Sequence, residues 1–166
     1  MMQLAMLGGA ALLGLAVIGL GFVLGMRTQS PLVIGPLIRL QRAIINPLQM
    51  RSAGTPGAYA GVIVHRGRTS GRRYETPVGV VADGDTFLIA LPYGSRAHWV
   101  RNVLASGSAT LVHEGQTSEV ERPELVPMST VVSRFPASDQ RSFGWFAVDQ
   151  VLRVRRVDAT RALRVA

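Results

Sequence analysis

The stretch YAGVIVHRGRTSGRRYETPVGVVADGDTFLIAL, residues 59–91, decides the fold. It contains three runs rich in β-branched and apolar residues, at 59–65, 76–81 and 86–91, and this composition favours β-strands. A glycine- and arginine-rich turn separates the first two runs, and the hairpin signal Asp83-Gly84 separates the last two. The stretch therefore predicts three consecutive antiparallel strands.

The remainder of the chain continues this pattern. Glu114-Gly115 predicts a hairpin between strands at 109–113 and 116–122, and residues 150–157 alternate apolar and basic side chains as a last strand does. Helices are predicted at 96–104, where Ser106-Gly107 ends the helix, and at 127–135 and 138–146. Six strands joined mostly by hairpins predict a mainly β protein, a small antiparallel β-barrel with appended helices.

Residues 1–26 carry no charge and are mostly Leu, Ala, Gly, Val and Ile. Such a run is typical of a transmembrane helix, because about 20 residues span the hydrocarbon core. The alternative is a secretory signal peptide, but it needs a basic start and a small-x-small cleavage site, which this run does not have. Arginines follow the run and none precedes it, so we expect a single-pass cell-membrane protein with its catalytic domain on the cytoplasmic side.

Residues 31–50 have apolar side chains near helical spacing and predict an amphipathic helix, followed by a Gly- and Pro-containing loop at 52–57. The basic residues Arg39 and Arg42 suit either an anionic inner leaflet or solvent above a helix packed on the domain. The sequence leaves both possibilities open. We expect an anchor at 1–26, a juxtamembrane helix and linker at 27–57, and a barrel domain at 58–166.

The charge of the chain is polarised. All 18 basic residues are Arg, and the first acidic residue is Glu75, so the whole formal net charge of +8 lies in the first 74 residues. This distribution indicates an anionic surface or ligand near that end: anionic lipid, a phosphorylated cofactor or nucleic acid. Cysteine is absent, which excludes disulfides, thiolate metal sites and a cysteine nucleophile.

The turn at residues 65–74 concentrates the candidate ligand-binding groups. Gly67 and Gly71 allow backbone N–H groups to face an anion, and the hydroxyl and guanidinium groups of the turn add further donors. A solvated basic turn is the alternative interpretation. P-loop and dinucleotide-binding fingerprints are absent from the turn.

Neither hydrolysis nor metal binding is predicted. No Ser-His-Asp or paired-carboxylate arrangement is evident, and His65 and His113 lie at strand ends without a partner at metal-ligand spacing. The sequence therefore predicts no functional role for either histidine.

Four motifs follow one another along the chain: Gly67-Arg68-Thr69-Ser70-Gly71, Thr76-Pro77-Val78, Tyr93-Gly94 and Trp99-Val100-Arg101-Asn102. In order and spacing they resemble the deazaflavin-dependent nitroreductase family of split β-barrel oxidoreductases, in its actinobacterial form. The resemblance covers residues 59–157. It implies an FMN-binding-like split β-barrel that transfers hydride from reduced coenzyme F420 to a small organic acceptor such as a quinone, enone or nitro compound. FMN is the alternative cofactor.

The resemblance also implies which residues bind the cofactor. The phosphate would be held in the turn by Arg68, Thr69 and Ser70, with Gly71, Arg72, Arg73 and Tyr74 beside them. The ring would lie between two walls, formed by Thr76, Pro77 and Val78 and by Ala90, Leu91, Pro92 and Tyr93. The helix would close the site with His98, Trp99 and Asn102. Tyr93 is the candidate catalytic donor to charge that develops on the acceptor.

Two departures from the family pattern bear on this site. Many relatives carry Arg where this chain has Tyr74, which shifts the expected phosphate contact to Arg72 or Arg73. Glu75 would repel a polyanion unless a neighbouring Arg pairs with it.

Two other functions are open at this level. One is a split-barrel module that binds FMN, haem or a lipid without F420 turnover. The other is a non-enzymatic basic binder of membranes or nucleic acid, although no basic strand face carries interleaved aromatic residues, so nucleic acid is not expected. A membrane-dissolved acceptor such as a quinone or a lipid fits the predicted anchor.

Overall fold

The computed structural model describes residues 2–157, with side chains from residue 13 onward. Its strands are β1 (Ala60–Arg66), β2 (Arg73–Asp83), β3 (Thr86–Ala90), β4 (Ser108–His113), β5 (Gln116–Pro127) and β6 (Gln150–Arg156). Its α-helices are α1 (Met2–Arg27), α2 (Pro31–Leu40), α3 (Asn46–Gln49), α4 (His98–Ser106), α5 (Met128–Val131) and α6 (Ala137–Phe146). A π turn, Gln41–Ile45, joins α2 to α3, and a 3-10 turn, Val132–Arg134, follows α5.

The six strands close into a barrel in the order β1-β2-β3-β6-β5-β4, and every neighbouring pair is antiparallel. The mainly β barrel with helices is confirmed and is consistent with a split β-barrel. Both predicted hairpins are present, with Asp83 paired to Thr86 and His113 paired to Gln116. At the second hairpin Glu114 and Gly115 have φ of 49° and 72°, as a two-residue hairpin turn requires.

The barrel interior is an apolar core. Its fully buried side chains include Ile63, Ile89, Leu111, Leu152 and Val154, one or two from most strands. Helix α4 adds Val100 and Val103 to the same core and therefore covers one end of the barrel. The helix ends where Gly107 adopts the left-handed conformation, as the Ser106-Gly107 signal predicts.

A second apolar cluster lies outside the barrel wall. Leu88 and Val151 face it from β3 and β6, and Phe135 and Phe143 contact each other edge to face with ring centroids 5.2 Å apart. The predicted helix at 138–146 is confirmed as α6. The helix predicted at 127–135 is shorter, because Pro127 still pairs with Gln150 and only α5 and the 3-10 turn follow.

Two strands are longer than predicted. β2 begins at Arg73 because its pairing with β1 continues to Arg66. β5 passes Pro123 through an irregularity between Glu121 and Glu124 and continues to Pro127. In a sequence, a proline predicts the end of a strand because it has no N–H to donate. It is nevertheless tolerated at a bulge, where the hydrogen bonds between the strands are interrupted.

The N-terminal helices meet at an elbow. α1 and the α2–α3 segment are bent by 93°, and Gly25 of α1 contacts Val33 of α2 so closely that a Cβ at Gly25 would lie 2.8 Å from the Val33 Cβ. In the part of the chain whose side chains are described, no single helix meets the length and hydropathy of a membrane span; Leu13–Arg27 and Pro31–Gln49 meet them together, as a bent pair.

The loop after α3 is tied to the barrel. The Gly54 N–H donates to the Ala60 carbonyl at 2.7 Å, and the Gly57 N–H donates to Glu114 Oε2 at 2.8 Å. The boundary between linker and barrel domain at residues 57 and 58 stays a prediction.

Candidate cofactor site

The basic turn between β1 and β2 is closed by its glycines. The Gly67 N–H donates to the Arg72 carbonyl and the Gly71 N–H to the Gly67 carbonyl, both at 2.8 Å, and Gly71 has φ of 65°. These two N–H groups therefore hold the turn together and do not face a ligand. Within the described residues, the backbone N–H groups of Thr69 and Ser70 make no hydrogen bond. The turn thus presents free donors, although from other residues than the glycines.

Tyr74 supports this turn. Its ring stacks on His65 with centroids 5.8 Å apart, and its hydroxyl lies 3.4 Å from Ser70 Oγ. A Cβ at Gly67 would lie 2.9 Å from the Tyr74 ring and closer still to Ser70 Oγ. Tyr74 therefore packs over the turn, and a side chain larger than hydrogen at position 67 would push it away.

A chain of hydrogen bonds joins the turn to the barrel. The Arg68 backbone N–H and guanidinium both donate to Asn102 Oδ1, at 3.2 and 3.1 Å. The Asn102 amide contacts His65 Nδ1 at 3.2 Å, and His65 Nε2 contacts Thr76 Oγ1 at 3.3 Å. Three predicted site residues, Arg68, Asn102 and Thr76, are thus connected through His65.

The sequence interpretation missed His65. It is 6% exposed, Asn102 is also 6% exposed, and the two are the buried polar residues of the described part of the chain. Burial lowers the pKa of His65, while its hydrogen bond to the Arg66 backbone opposes this. Because Asn102 Oδ1 accepts from Arg68, its Nδ2 must donate to His65 Nδ1, which leaves the proton of a neutral imidazole on Nε2. The available sequence signal was that His65 has the same strand parity as the core residue Ile63.

Three arginines act electrostatically on His98 at the start of α4. Desolvation is the main cause that lowers the pKa of the exposed His98, and Arg101, Arg42 and Arg68 lower it further. Within residues 13–157, none of these three guanidiniums has a carboxylate within 4.0 Å. The surface beside the turn is therefore a positive patch without internal neutralisation, which favours an anion.

Glu75 does not face this patch unpaired. Arg73 Nη2 lies 2.9 Å from Glu75 Oε1, in an ion pair exposed to solvent. The pairing that an anionic ligand requires at Glu75 is therefore present. It engages Arg73 and leaves Arg68 and Arg72 as guanidiniums of the turn without a carboxylate partner among the described residues.

A cleft of about 280 Å³ lies on the outer face of the barrel, farther along β2. Predicted wall residues Ala90 and Pro92 line it, and its described lining contains no Arg. The other lining residues are Ala58, Tyr59, Gly79, Val80, Val81, His113, Glu114, Phe135, Pro136, Asp139 and Phe143. Tyr59 is 72% exposed as a residue, but local desolvation of its hydroxyl and, secondarily, Asp139 raise the pKa of that hydroxyl. The cleft suits an uncharged, flat, largely apolar group.

The remaining predicted residues are divided between core and surface. Val78 and Leu91 are buried in the barrel core, and Trp99 packs against it. Val78 and Leu91 support the site from behind and can face a ligand only through their backbones, whereas the Trp99 side chain is partly exposed. Tyr93 is half-buried, and burial raises the pKa of its hydroxyl. Gln29, which the sequence interpretation did not name, donates to the neighbouring Pro92 carbonyl at 3.4 Å.

No family model matches the sequence, and no curated protein matches it. Among solved structures, an F420 reductase matches with 13% identity and a TM-score of 0.46, over 65% of this chain and 92% of its own. An FAD-binding protein from Mesorhizobium loti matches with 11% identity and a TM-score of 0.44, over 67% of this chain and 89% of its own. An F420-H2-dependent reductase matches with 13% identity and a TM-score of 0.36, over 58% and 94%. Likenesses at these values transfer neither a cofactor nor an activity to this chain.

Proposed function

We propose that this protein is a membrane-anchored oxidoreductase that transfers hydride from reduced coenzyme F420 to a small organic acceptor. The observation that carries the proposal is the hydrogen-bond chain from Arg68 through Asn102 and His65 to Thr76. It connects the turn expected to hold the phosphate with the strand expected to line the ring. Three of the four sequence motifs that resemble the deazaflavin-dependent family, those containing Arg68, Thr76 and Asn102, are thus joined by contacts in the fold.

The residues present fit such a cofactor in two parts. The anionic part suits Arg68, Arg72 and the free N–H groups of Thr69 and Ser70, because charge-assisted donors bind phosphate and carboxylate strongly. The ring suits the cleft beside Ala90 and Pro92, which contains no Arg and is lined by aromatic side chains. β2 joins the two parts, since Thr76 and Gly79 are about 10 Å apart at the usual rise per strand residue.

When bound, F420 would supply the hydride, so the protein's own residues have a limited chemical task. Arg68 and Arg72 would fix the anionic end, and the cleft would keep water away from the ring. The Tyr93 hydroxyl, whose pKa is raised by burial, stays protonated at neutral pH and can donate a hydrogen bond to an oxygen that gains negative charge. The contact from Gln29 to Pro92 places the end of α1 beside the loop that carries Tyr93.

Anchoring through residues 1–26, with the barrel in the cytoplasm, is part of the proposal. The described part of α1 exposes apolar side chains around the helix; Leu13, Leu15, Ile18 and Leu20 are each more than 60% exposed. A helix apolar all round is typical of a lipid environment. An acceptor that dissolves in the membrane, such as a quinone, would then meet the enzyme at the bilayer surface.

Cofactor binding is tested by F420 fluorescence with the purified full-length chain and with Arg68→Gln. Arg155→Gln is the matched control, because Arg155 pairs with Asp85 outside the turn. We expect Arg68→Gln to weaken F420 binding at least tenfold, about 1.4 kcal/mol, and Arg155→Gln to change it far less. Equal effects of the two substitutions, or none, would contradict the site.

Parallel titrations separate the alternatives. Tighter binding of FMN or haem than of F420 would favour the non-F420 split-barrel module, and RNA affinity that falls steeply with salt would favour a basic nucleic-acid binder. Activity is tested with reduced F420 and menadione. Absence of turnover across quinones, enones and nitro compounds would overturn the proposed reaction.

A further inference from the structure

One face of the α2–α3 segment has no partner among the residues that the structure describes. Leu40, Ile44 and Leu48 are 48%, 53% and 53% exposed and follow one another at four-residue spacing. We call these three residues the apolar stripe. Ile34 is instead buried, so the segment has one face toward the protein and another toward its surroundings. The segment is therefore amphipathic in the fold as well as in sequence.

The π turn helps to align the stripe. In a π turn the backbone bonds run from residue i+5 to residue i, and the Asn46 N–H here donates to the Gln41 carbonyl. The turn is wider than an α-helical one, so residues four apart stay closer to a single line. The following Pro47 has no N–H to continue the α-helical pattern, which accounts for the position of the irregularity.

The charges beside the stripe are all positive. Arg39 and Arg42 are exposed on the same segment, and neither has a carboxylate within 4.0 Å among residues 13–157. No acidic residue precedes Glu75 in the sequence. Stripe-to-stripe docking of two copies would bring these arginines together without acids nearby. An anionic surface instead gains about 1 kcal/mol for each basic residue.

Arg27 and Trp145 indicate where the surface of an anionic bilayer would meet the protein. Arg27, the first charge of the chain, donates from its guanidinium to the carbonyls of Gly144 and Trp145, at 3.0 and 3.2 Å. Trp145 is 69% exposed, and Trp is enriched at membrane–water interfaces. The C-terminal end of α1 and the exposed Trp145 of α6 would therefore lie at the same depth relative to the bilayer surface.

We propose that the apolar stripe lies in the headgroup region of an anionic bilayer and holds the barrel in one orientation at the membrane. The inference rests on the anchoring of α1 in the proposed function and adds a second lipid contact to it. α2 begins four residues after Arg27 and leaves α1 at 93°, so a segment that starts at the interface remains in its plane. With Arg39 and Arg42 among the headgroups, the barrel is held with its Pro92–Gly94 loop near the lipid.

Because the chain contains no cysteine, single labels report on single positions. The full-length protein carrying Leu40→Cys, Ile44→Cys or Leu48→Cys would be spin-labelled and reconstituted into vesicles of phosphatidylglycerol and phosphatidylcholine. Thr117→Cys, exposed in the β4–β5 hairpin, is the control. We expect the three stripe labels to be shielded from a water-soluble nickel complex and accessible to oxygen, and the label at 117 to be accessible to the nickel complex.

Three results would overturn the inference. Nickel accessibility at 40, 44 and 48 equal to that at 117, in vesicles that retain the protein through alkaline extraction, would refute the stripe contact while leaving the anchor intact. Failure of the protein to float with vesicles would refute both. Dipolar broadening between stripe labels would show that a second copy covers the stripe. Adding Arg39→Gln, which lies outside the patch around His98, should raise nickel accessibility at 44 in anionic vesicles, and F420 binding should not change.

Discussion

The side-chain amide of Asn102 donates to Nδ1 of the buried His65 at 3.2 Å, while the Asn102 oxygen accepts from Arg68. This contact joins α4 to β1 and sets the direction of the whole chain of hydrogen bonds. Each contact in this chain pairs one hydrogen-bond donor with one acceptor. A change of protonation or side chain at one end therefore alters which donors are available at the other end.

Acid should weaken the fold through His65. Its folded pKa is lowered from 6.5, so between the two values the unfolded chain binds more protons than the native one. Stability therefore rises with pH in this window and is lost as the pH falls below about 6.5. In a protonated His65 the Nδ1–H would also face the N–H donor of the Asn102 amide, and the hydrogen bond between them would be lost. Melting temperatures measured from pH 7.5 to 5 should fall, and His65→Gln should flatten the dependence while His113→Gln retains it. A slope that His65→Gln leaves unchanged would refute the assignment.

Removing the Asn102 side chain should cost more than one hydrogen bond. Asn102→Ala leaves the Arg68 N–H and His65 Nδ1 without partners, and we expect a loss of about 1–3 kcal/mol in the free energy of unfolding. In a double-mutant cycle, Asn102→Ala and His65→Ala should show coupling above about 0.5 kcal/mol. Thr110→Ala, whose hydroxyl donates to Glu119 in another part of the barrel, should combine additively with Asn102→Ala. Additivity in both cycles would argue against the network.

Gly79 should control access to the cleft. A Cβ at this position would lie 3.6 Å from the Tyr59 hydroxyl, an ordinary contact, so Gly79→Ala should fold and bind cofactor nearly as the native protein does. Gly79→Leu should fill the cleft and weaken ring binding at least tenfold, about 1.4 kcal/mol. Isothermal titration with F420 tests this. Melting curves of both variants, which should coincide, are the control for folding. Full affinity in Gly79→Leu would place the ring elsewhere.

Tyr93→Phe should lower kcat at least tenfold, about 1.4 kcal/mol in the barrier, with a smaller effect on F420 affinity. The raised pKa of the Tyr93 hydroxyl keeps its proton in place up to its ordinary value of 10.0. Activity should therefore show no loss from this group between pH 7 and 9. Steady-state rates with reduced F420 and menadione measure this effect. If Tyr93→Phe retained full kcat, Tyr93 would not be the hydrogen-bond donor to the acceptor.

The elbow should depend on Gly25 and not on Gly21. Gly25→Leu would drive a side chain into Val33, whereas no atom lies within 4 Å of a Cβ placed at Gly21. In bilayers, spin labels at residues 17 and 40 should change their separation in Gly25→Leu and keep it in Gly21→Leu. The same distance in both variants would show that the bend has another origin.

The sequence by itself determined the strands, both two-residue hairpins, the helix that ends at Gly107, and hence the barrel class. These features are local: β-branched runs, the Gly84-Asp85 and Glu114-Gly115 turns, and a left-handed glycine act through residues next to one another in the chain. Local signals failed at Pro123 and at the start of β2. There, pairing with a distant strand decided where the strand ends.

Only the tertiary structure decided what the candidate site consists of. His65, Thr76 and Asn102 are far apart in sequence, and a lone histidine at a strand end carries no signal until α4 places an amide against it. Gly67 and Gly71, whose N–H groups close their own turn, and Glu75, which pairs with Arg73, instead make local contacts, and the sequence left open which groups they would bind. Hydrogen bonds between side chains depend on positions that only the closed barrel brings within 3.5 Å, and no spacing along the chain specifies them.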